Sequence, residues 1–235
     1  IVELEAVELI VAATCNHPAQ ADVQQLSCAA LRSLAGNESG QACIVKHRGV
    51  DALLNALKNH PDDAVVQQMA CGVLWNLANN DLYQSIIAEK RGIKLILNAM
   101  INRPANADVQ QQACGAICAL AFNNSENQAV IVESKGVELI LQAMKTHPKH
   151  LKLQQAACSA LWNLSADERN QVSATGATSA IVQQGGVELV LLAMSTHCRD
   201  LVLQTQACGL LKYLTFQSRE SRIMIAQQEG IELVI

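Results

Sequence analysis

Gln155-Ala156-Ala157-Cys158-Ser159-Ala160-Leu161-Trp162-Asn163-Leu164 contains a phrase that recurs along the chain. Its other copies are Gln25-Leu26-Ser27-Cys28, Gln68-Met69-Ala70-Cys71, Gln111-Gln112-Ala113-Cys114 and Thr205-Gln206-Ala207-Cys208. Successive cysteines of these phrases are 43, 43, 44 and 50 residues apart. A second marker, the glycine at Gly49, Gly92, Gly136, Gly186 and Gly230, keeps nearly the same interval. Two markers in one register predict an array of repeats of about 43 residues.

Each repeat contains three apolar runs with helical spacing. In one of them, residues 129–132 precede the marker glycine, residues 136–144 follow it, and a longer amphipathic run extends from Leu153 to Leu164. The glycine breaks the first run from the second, and His147-Pro148 closes the second. The sequence therefore predicts an all-α array of three-helix units. Its period excludes ankyrin and tetratricopeptide repeats, which have about 33 to 34 residues.

Composition narrows the classes of partner and compartment. The 235 residues are 50% apolar and 3% aromatic, with a net charge of -4. They lack the Lys/Arg excess that neutralises a phosphate backbone, so nucleic acid is not an expected partner. No apolar stretch reaches the roughly 18 to 20 residues of a membrane span. Nine cysteines, five of them at one helix position, predict free thiols in the cytoplasm or nucleus.

The ending Ala160-Leu161-Trp162-Asn163-Leu164-Ser165, like Val73-Leu74-Trp75-Asn76-Leu77-Ala78, resembles the end of the third helix of armadillo repeats. The resemblance to this catenin- and importin-like family covers essentially the whole chain. It implies a right-handed α-solenoid of three-helix repeats whose third helices line a concave, peptide-binding groove. The expected function is a protein-interaction scaffold, with an architectural or regulatory segment of a larger multidomain protein as the alternative.

Cut as armadillo repeats are cut, the chain is a single array over residues 1–235. It contains a part-repeat at 1–36, repeats at 37–79, 80–122, 123–166 and 167–217, and a part-repeat at 218–235. The unfinished ends suggest a piece of a longer solenoid and predict self-association through uncovered apolar residues such as Leu233, Val234 and Ile235. The extra length of the fourth repeat lies in residues 173–179, which are expected to form a mobile surface loop.

The resemblance also gives candidate groove residues. In importin-α one row of the groove carries tryptophans, and that row maps here onto Ala29, Gly72, Gly115, Ser159 and Gly209. The neighbouring row, which carries asparagines that clamp a peptide backbone, maps onto Ser33, Asn76, Ala119, Asn163 and Tyr213. The floor maps onto Leu26, Met69, Gln112, Ala156 and Gln206. The candidate groove is Asn76, Asn163, Ser33, Tyr213, Gln112, Gln206, Gly72 and Gly115, and a neutral or weakly amphipathic peptide or helix is the expected ligand.

Two features of the third helices leave alternatives open. Glycine inside a helix costs about 1 kcal/mol relative to alanine, so the recurrence at Gly72, Gly115 and Gly209 indicates close approach of either a ligand backbone or a neighbouring helix. Trp75 and Trp162 are expected to cover a seam between repeats, with an interface anchor as the alternative.

At every repeated position, a structural role is the alternative to metal binding or catalysis. The repeated cysteines are expected to be buried packing residues. The histidines at the end of the second helix, His17, His60, His147 and His197, are expected to cap its last carbonyls instead of binding metal. The polar row Asn37, Asn80, Asn123, Asp167 and Gln217 is expected for the most part to cap the next helix, with an extension of the groove as the alternative. No phosphate loop, nucleophile elbow or zinc motif occurs, so we expect no enzyme activity, cofactor or metal.

Overall fold

The computed structural model describes residues 2–166, 176–217 and 222–223, and every regular element in these ranges is an α-helix. The helices are α1 Val2–Asn16, α2 Ala21–Leu34, α3 Glu38–Lys46, α4 Gly49–Asn59, α5 Ala64–Leu77, α6 Asp81–Glu89, α7 Gly92–Asn102, α8 Ala107–Ala121, α9 Ser125–Glu133, α10 Gly136–Thr146, α11 Leu151–Ser165, α12 Ala177–Gln183, α13 Gly186–Thr196 and α14 Leu201–Gln217. They follow one another in triplets, beginning at α3, α6, α9 and α12. The prediction of an all-α array of three-helix units is confirmed, while the limits drawn between repeats remain a prediction.

Contacts divide the chain into two compact units, Ile1–Leu120 and Ala121–Ile235. In the first unit, the third helices α2 and α5 pack against each other, and so do the second helices α4 and α7. In the second unit, α11 packs against α14 in the same way. Within each compact unit, a helix of one repeat therefore buries a face against the corresponding helix of the next repeat.

The repeated cysteines lie inside this packing. Cys28, Cys71, Cys114 and Cys158 are 0% exposed, which agrees with a packing role, whereas Cys208 is only partly buried. Burial disfavours the thiolate and raises the pKa of Cys28, Cys71 and Cys158 to about 12. All nine cysteines are free thiols.

The corner between first and second helices has a left-handed residue followed by the marker glycine. Arg48, the N-cap residue of α4, has φ 60° and makes no side-chain capping hydrogen bond. A Cβ added to Gly49 would lie 2.8 Å from the carbonyl oxygen of Ile44, at the end of the preceding helix. The glycine is therefore needed for the close crossing of the two helices.

The row of predicted helix caps is correct at two positions and wrong at one. Asn37 Oδ1 accepts a hydrogen bond from the Gly40 N–H at 2.8 Å, and Asn80 Oδ1 accepts one from the Leu82 N–H at 3.0 Å. Asn123 does not cap; its φ is 50°, and Asn124 accepts from the Asn127 N–H at 3.0 Å instead. Asp167 and the Gln217 side chain lie outside the described residues.

The expected loop of the fourth repeat is shorter than predicted. Ala177 begins α12, and Thr178 in its first turn is buried. Residues 173–175 and the apolar residues 233–235 lie outside the described part of the chain.

A glutamine, buried in four of the five cases, joins each described third helix to the end of the second helix before it. Gln67 Nε2 donates to the carbonyl oxygens of Leu57 and His60, both at 2.9 Å. The same pair of bonds is made by Gln24, Gln110, Gln154 and Gln204. In a continuing helix the Leu57 carbonyl would accept from residue 61, but Pro61 has no N–H. The glutamine supplies the missing donor.

The histidines end their helices as predicted, but the rings of two of them bond to the preceding repeat. His60 and His197 are the residues that follow the last turns of α4 and α13. His60 Nε2 lies 2.7 Å from the carbonyl oxygen of Pro18, and His197 Nε2 lies 3.1 Å from that of Pro148. Each of these two rings therefore ties its repeat to the preceding one.

Candidate functional site

The third-helix face of the first unit carries an arginine that spans two repeats. Arg32 is in the last turn of α2, and its Nη2 donates to Oε1 of Gln112 on α8 at 3.2 Å. On the way the side chain passes Met69, whose sulfur lies 3.7 Å from Nη1. The guanidinium thus lies over α5 and satisfies a buried amide oxygen. Sequence reasoning missed this pair, because Arg32 and Gln112 are 80 residues apart.

Side chains of the preceding third helix cover the repeated glycines. A Cβ on Gly72 would meet Arg32 Nε at 2.9 Å. A Cβ on Gly115 would lie 2.7 Å from Cε2 of Trp75, and one on Gly209 would lie 2.8 Å from Cε2 of Trp162. Of the two explanations for the glycine row, close packing from the neighbouring helix is the one that the contacts favour.

This packing corrects three members of the candidate groove. Gly72 and Gly115 are buried, and Gln112 is 4% exposed. A ligand cannot reach them while Arg32 and Trp75 keep these positions. The tryptophans themselves are half-buried, so each covers a glycine with one part of its ring and leaves another part at the surface, as expected of a seam residue.

Four other candidate residues remain at least partly accessible. Asn76 follows Trp75 on α5, is half-buried, and its carboxamide bonds to none of the described residues. Asn163 follows Trp162 on α11 at the same depth. Tyr213 on α14 is half-buried, with Lys212 Nζ 5.8 Å from the ring centroid. Ser33 is exposed and donates to the Ala29 carbonyl of its own helix at 3.4 Å.

Gln206, the remaining candidate, lies on α14 in the second unit. Its side chain is partly exposed, yet Oε1 is buried and accepts no hydrogen bond from the described residues. Gln112 occupies the same place in its repeat and has Arg32 as donor. The two glutamines therefore share a position on the repeat but differ in whether the amide oxygen is satisfied.

At the start of two third helices, an aspartate links that helix to the third helix of the preceding repeat. Asp63 Oδ1 accepts from the N–H groups of Val65 and Val66, and Oδ2 accepts from Gln25 Nε2 at 2.8 Å. Partial burial works to raise the pKa of Asp63, but the three hydrogen bonds outweigh it and hold that pKa below its ordinary value. The carboxylate is thus both a helix cap and a tie between α2 and α5.

The second unit repeats this arrangement. Asp200 Oδ1 accepts from the Leu203 N–H at 2.8 Å and from Gln155 Nε2 at 2.6 Å. These two bonds lower the pKa of Asp200. The bonded glutamines Gln25 and Gln155 open two copies of the repeated phrase, so a polar residue that the sequence marked only as repetitive has a defined structural task.

The described residues offer little for metal binding or for crossing a membrane. Among residues 2–166, 176–217 and 222–223, no three His, Cys, Asp or Glu side chains are grouped so that they could hold a metal ion. In the same ranges no single helix has the length and hydrophobicity to cross a membrane, although the pair α12 and α13, bent by 75°, meets those two criteria together.

The chain matches a family model and the fold of a solved structure. The family model described as LRRK2 ARM repeat matches residues 2–230. A crystal structure of an engineered protein, determined by the Northeast Structural Genomics Consortium, has a TM-score of 0.78 and 24% sequence identity, covering 97% of this chain and 87% of that one. At this identity the likeness concerns the fold alone. No curated protein matches. Armadillo solenoids are typically non-catalytic and bind other proteins. The chain is a member of the LRRK2 ARM repeat family.

Proposed function

We propose that this chain is a protein-interaction scaffold that holds an extended peptide or a helix of another protein along its third helices. Family membership supports a binding role and protein partners. The finer assignment to the third-helix face rests on one observation: Asn76 presents a half-buried carboxamide that bonds to no described residue, next to the Trp75 ring. An asparagine amide can donate to and accept from a peptide backbone at once.

The character of the face supports a neutral ligand. Its accessible positions carry amide, hydroxyl and phenol groups at Asn76, Asn163, Ser33 and Tyr213, and the Arg32 guanidinium is engaged with Gln112. Such a surface offers hydrogen bonds to a backbone and apolar contact to side chains, without a strong charge preference. We therefore expect a neutral or weakly amphipathic segment as ligand, and we assign no catalytic step to this face.

A selection experiment tests the proposal. A displayed library of random 16-residue peptides is selected on the immobilised chain, and the affinity of the enriched peptides is measured for wild type and for Asn76→Ala with Asn163→Ala. Removing the clamping amides is expected to weaken binding by about tenfold, because a hydrogen bond left unmade at a desolvated site costs roughly 1 to 3 kcal/mol.

Asn80→Ala is the matched control, because it makes the same substitution four residues from Asn76. Asn80 caps α6 through the Leu82 N–H, so its loss is expected to lower thermal stability and leave affinity unchanged. Enriched peptides that bind the double variant as tightly as wild type would move binding away from the third-helix face. Failure to enrich any peptide would favour an architectural segment with an empty groove.

We also propose that the chain works in a reducing compartment, the cytoplasm or nucleus. All nine cysteines are free, and several are packed in the core as thiols. Such thiols persist where glutathione and thioredoxin keep them reduced.

A further inference from the structure

Exposed basic residues occupy a backbone conformation that favours glycine. Arg48, Arg91 and Lys135 have φ of 60°, 61° and 62°, and each precedes the marker glycine of its repeat. In the fourth repeat the same place is filled by Gly185, with φ 74°. A side chain in left-handed backbone costs free energy that glycine avoids. At the position before the marker glycine, all three described residues that bear this cost are cations.

Local electrostatics do not account for the charge. Arg48 lies between the carboxyl end of α3 and the amino end of α4, so the two helix dipoles act on it in opposite directions. The Arg48 and Arg91 guanidiniums make no hydrogen bond or ion pair with the described residues. The nearby carboxylate of Asp51 is engaged by Lys90 Nζ at 2.7 Å. Both guanidiniums therefore keep their donors unused among the described residues.

The two arginines belong to a cationic surface on the first unit, the corner surface, formed by Lys46, Arg48, Arg91 and Lys94. All four side chains are exposed, and none pairs with a described residue. Because the second helices α4 and α7 pack against each other, Arg48 and Arg91 occupy equivalent places on neighbouring helices, and the axes of packed helices lie roughly 8 to 10 Å apart. The chain as a whole carries a net charge of -4, so this local excess of cations is opposite in sign to the protein.

We propose that the corner surface binds an acidic protein segment in which two carboxylates pair with Arg48 and Arg91. An extended chain advances about 3.3 Å per residue, so acidic side chains at positions i and i+3 match the spacing of one repeat. A carboxylate also suits the planar, two-pronged guanidinium. Separate carboxylates fit better than a continuous polyanion, because Asp51 is three residues from Arg48 and Glu89 is two residues from Arg91, and these carboxylates would repel a closely spaced series of phosphates. This surface is distinct from the third-helix face and does not rest on the function proposed for that face.

The test uses the full 235-residue chain and a fluorescein-labelled 12-residue peptide with glutamate at every third position among glycine and serine. Binding is followed by fluorescence anisotropy at low salt and at about 150 mM salt, where screening shortens the range of exposed charges to about 8 Å. Arg48→Gly with Arg91→Gly removes both cations and supplies the residue that the backbone favours. Affinity is expected to fall about five- to tenfold, from the usual strength of two exposed ion pairs, while the thermal midpoint is expected to rise.

The opposite signs separate a lost contact from a damaged fold. Lys58→Gln is the control, because Lys58 is an exposed and unpaired cation in the last turn of α4, away from the corner. Unchanged affinity in the double variant, or an equal loss with Lys58→Gln, would overturn the proposal. It would also be overturned if phosphatidylserine vesicles or duplex DNA bind the wild type more tightly than the acidic peptide and lose that binding in the double variant.

Discussion

Replacing Gln67 with leucine tests the tie between second and third helices. Gln67 is 1% exposed and donates two bonds of 2.9 Å. Without the amide, the Leu57 carbonyl has no donor, because the residue four positions on is Pro61. The His60 carbonyl still accepts from the Asp63 N–H at 3.2 Å. An orphaned buried carbonyl costs about 1 to 3 kcal/mol and the second lost bond about 1 kcal/mol, so we expect a loss of about 2 to 4 kcal/mol.

Urea unfolding followed by far-ultraviolet circular dichroism measures this loss, and amide hydrogen exchange locates it. Gln68→Leu is the matched control, since Gln68 is the next residue of α5, is half-buried, and its side chain makes no hydrogen bond with the described residues. It should change the free energy of unfolding by no more than about 0.5 kcal/mol. Faster exchange in Gln67→Leu should be confined to the end of α4 and the start of α5. Equal stability of the two variants would refute the assignment of the glutamine as the donor that replaces the proline N–H.

Three further outcomes follow from the contacts. Gly115→Ala should destabilise the chain by about 1 to 3 kcal/mol and change tryptophan fluorescence, because the new methyl group overlaps the Trp75 ring; an unchanged unfolding midpoint would contradict this contact. Asp63 has a lowered pKa, so its stabilising effect is complete above the pKa of about 3.9 that it has when unfolded and is lost as the pH falls below that value. Unfolding measured from pH 7 to pH 3 should therefore show a shallower decline for Asp63→Asn than for wild type, and parallel declines would exclude the effect. With a thiol reagent at pH 8, exposed Cys198 should react quickly, whereas Cys158, whose pKa is raised to about 12, should react only after unfolding. Mass spectrometry of the labelled chain measures the order, and labelling of Cys158 before Cys198 would contradict this expectation.

The array itself is predictable from the sequence because its markers are steric requirements. Gly49 recurs as a glycine since a Cβ would strike the Ile44 carbonyl, and Cys71 recurs as a small residue because it is fully buried between helices. Requirements of this kind repeat once in every unit and set the period. Helix boundaries follow from other repeated residues, such as His147-Pro148, which separates α10 from α11.

A position can be ambiguous when two residues satisfy the same requirement. Asn37 and Asn80 are predictable caps, but the third repeat has Asn123 and Asn124 side by side. Asparagine tolerates both the extended backbone of a cap and the left-handed backbone of a turn. The structure assigns the turn to Asn123 and the cap to Asn124, a choice that depends on where the preceding helix ends.

The buried glutamines escaped prediction because hydrophobic periodicity counts glutamine as a surface residue. A signal was nevertheless present: each of the four prolines is followed six residues later by glutamine. The pairs are Pro18 with Gln24, Pro61 with Gln67, Pro104 with Gln110, and Pro148 with Gln154. A repeated residue without an N–H, paired at fixed spacing with a repeated amide donor, predicts a backbone carbonyl that needs a partner. The backbone carbonyls that lack a donor therefore predict these buried glutamines, whereas hydrophobic periodicity does not.

Steric packing explains why the repeated glycines are not the ligand contacts that the candidate groove assumed. Within the first unit, bulky Arg32 and Trp75 lie over Gly72 and Gly115, and within the second, Trp162 lies over Gly209. In sequence, the repeat that has serine in place of this glycine, at Ser159, follows the one repeat that has a small residue, Cys118, at the place of the bulky side chain. Within each unit, large residues are therefore paired with glycine, which is the pattern of volume compensation. A row shaped by the size of its neighbour records packing, so binding specificity on the third-helix face has to be sought in residues such as Asn76 whose polar groups the packing leaves unused.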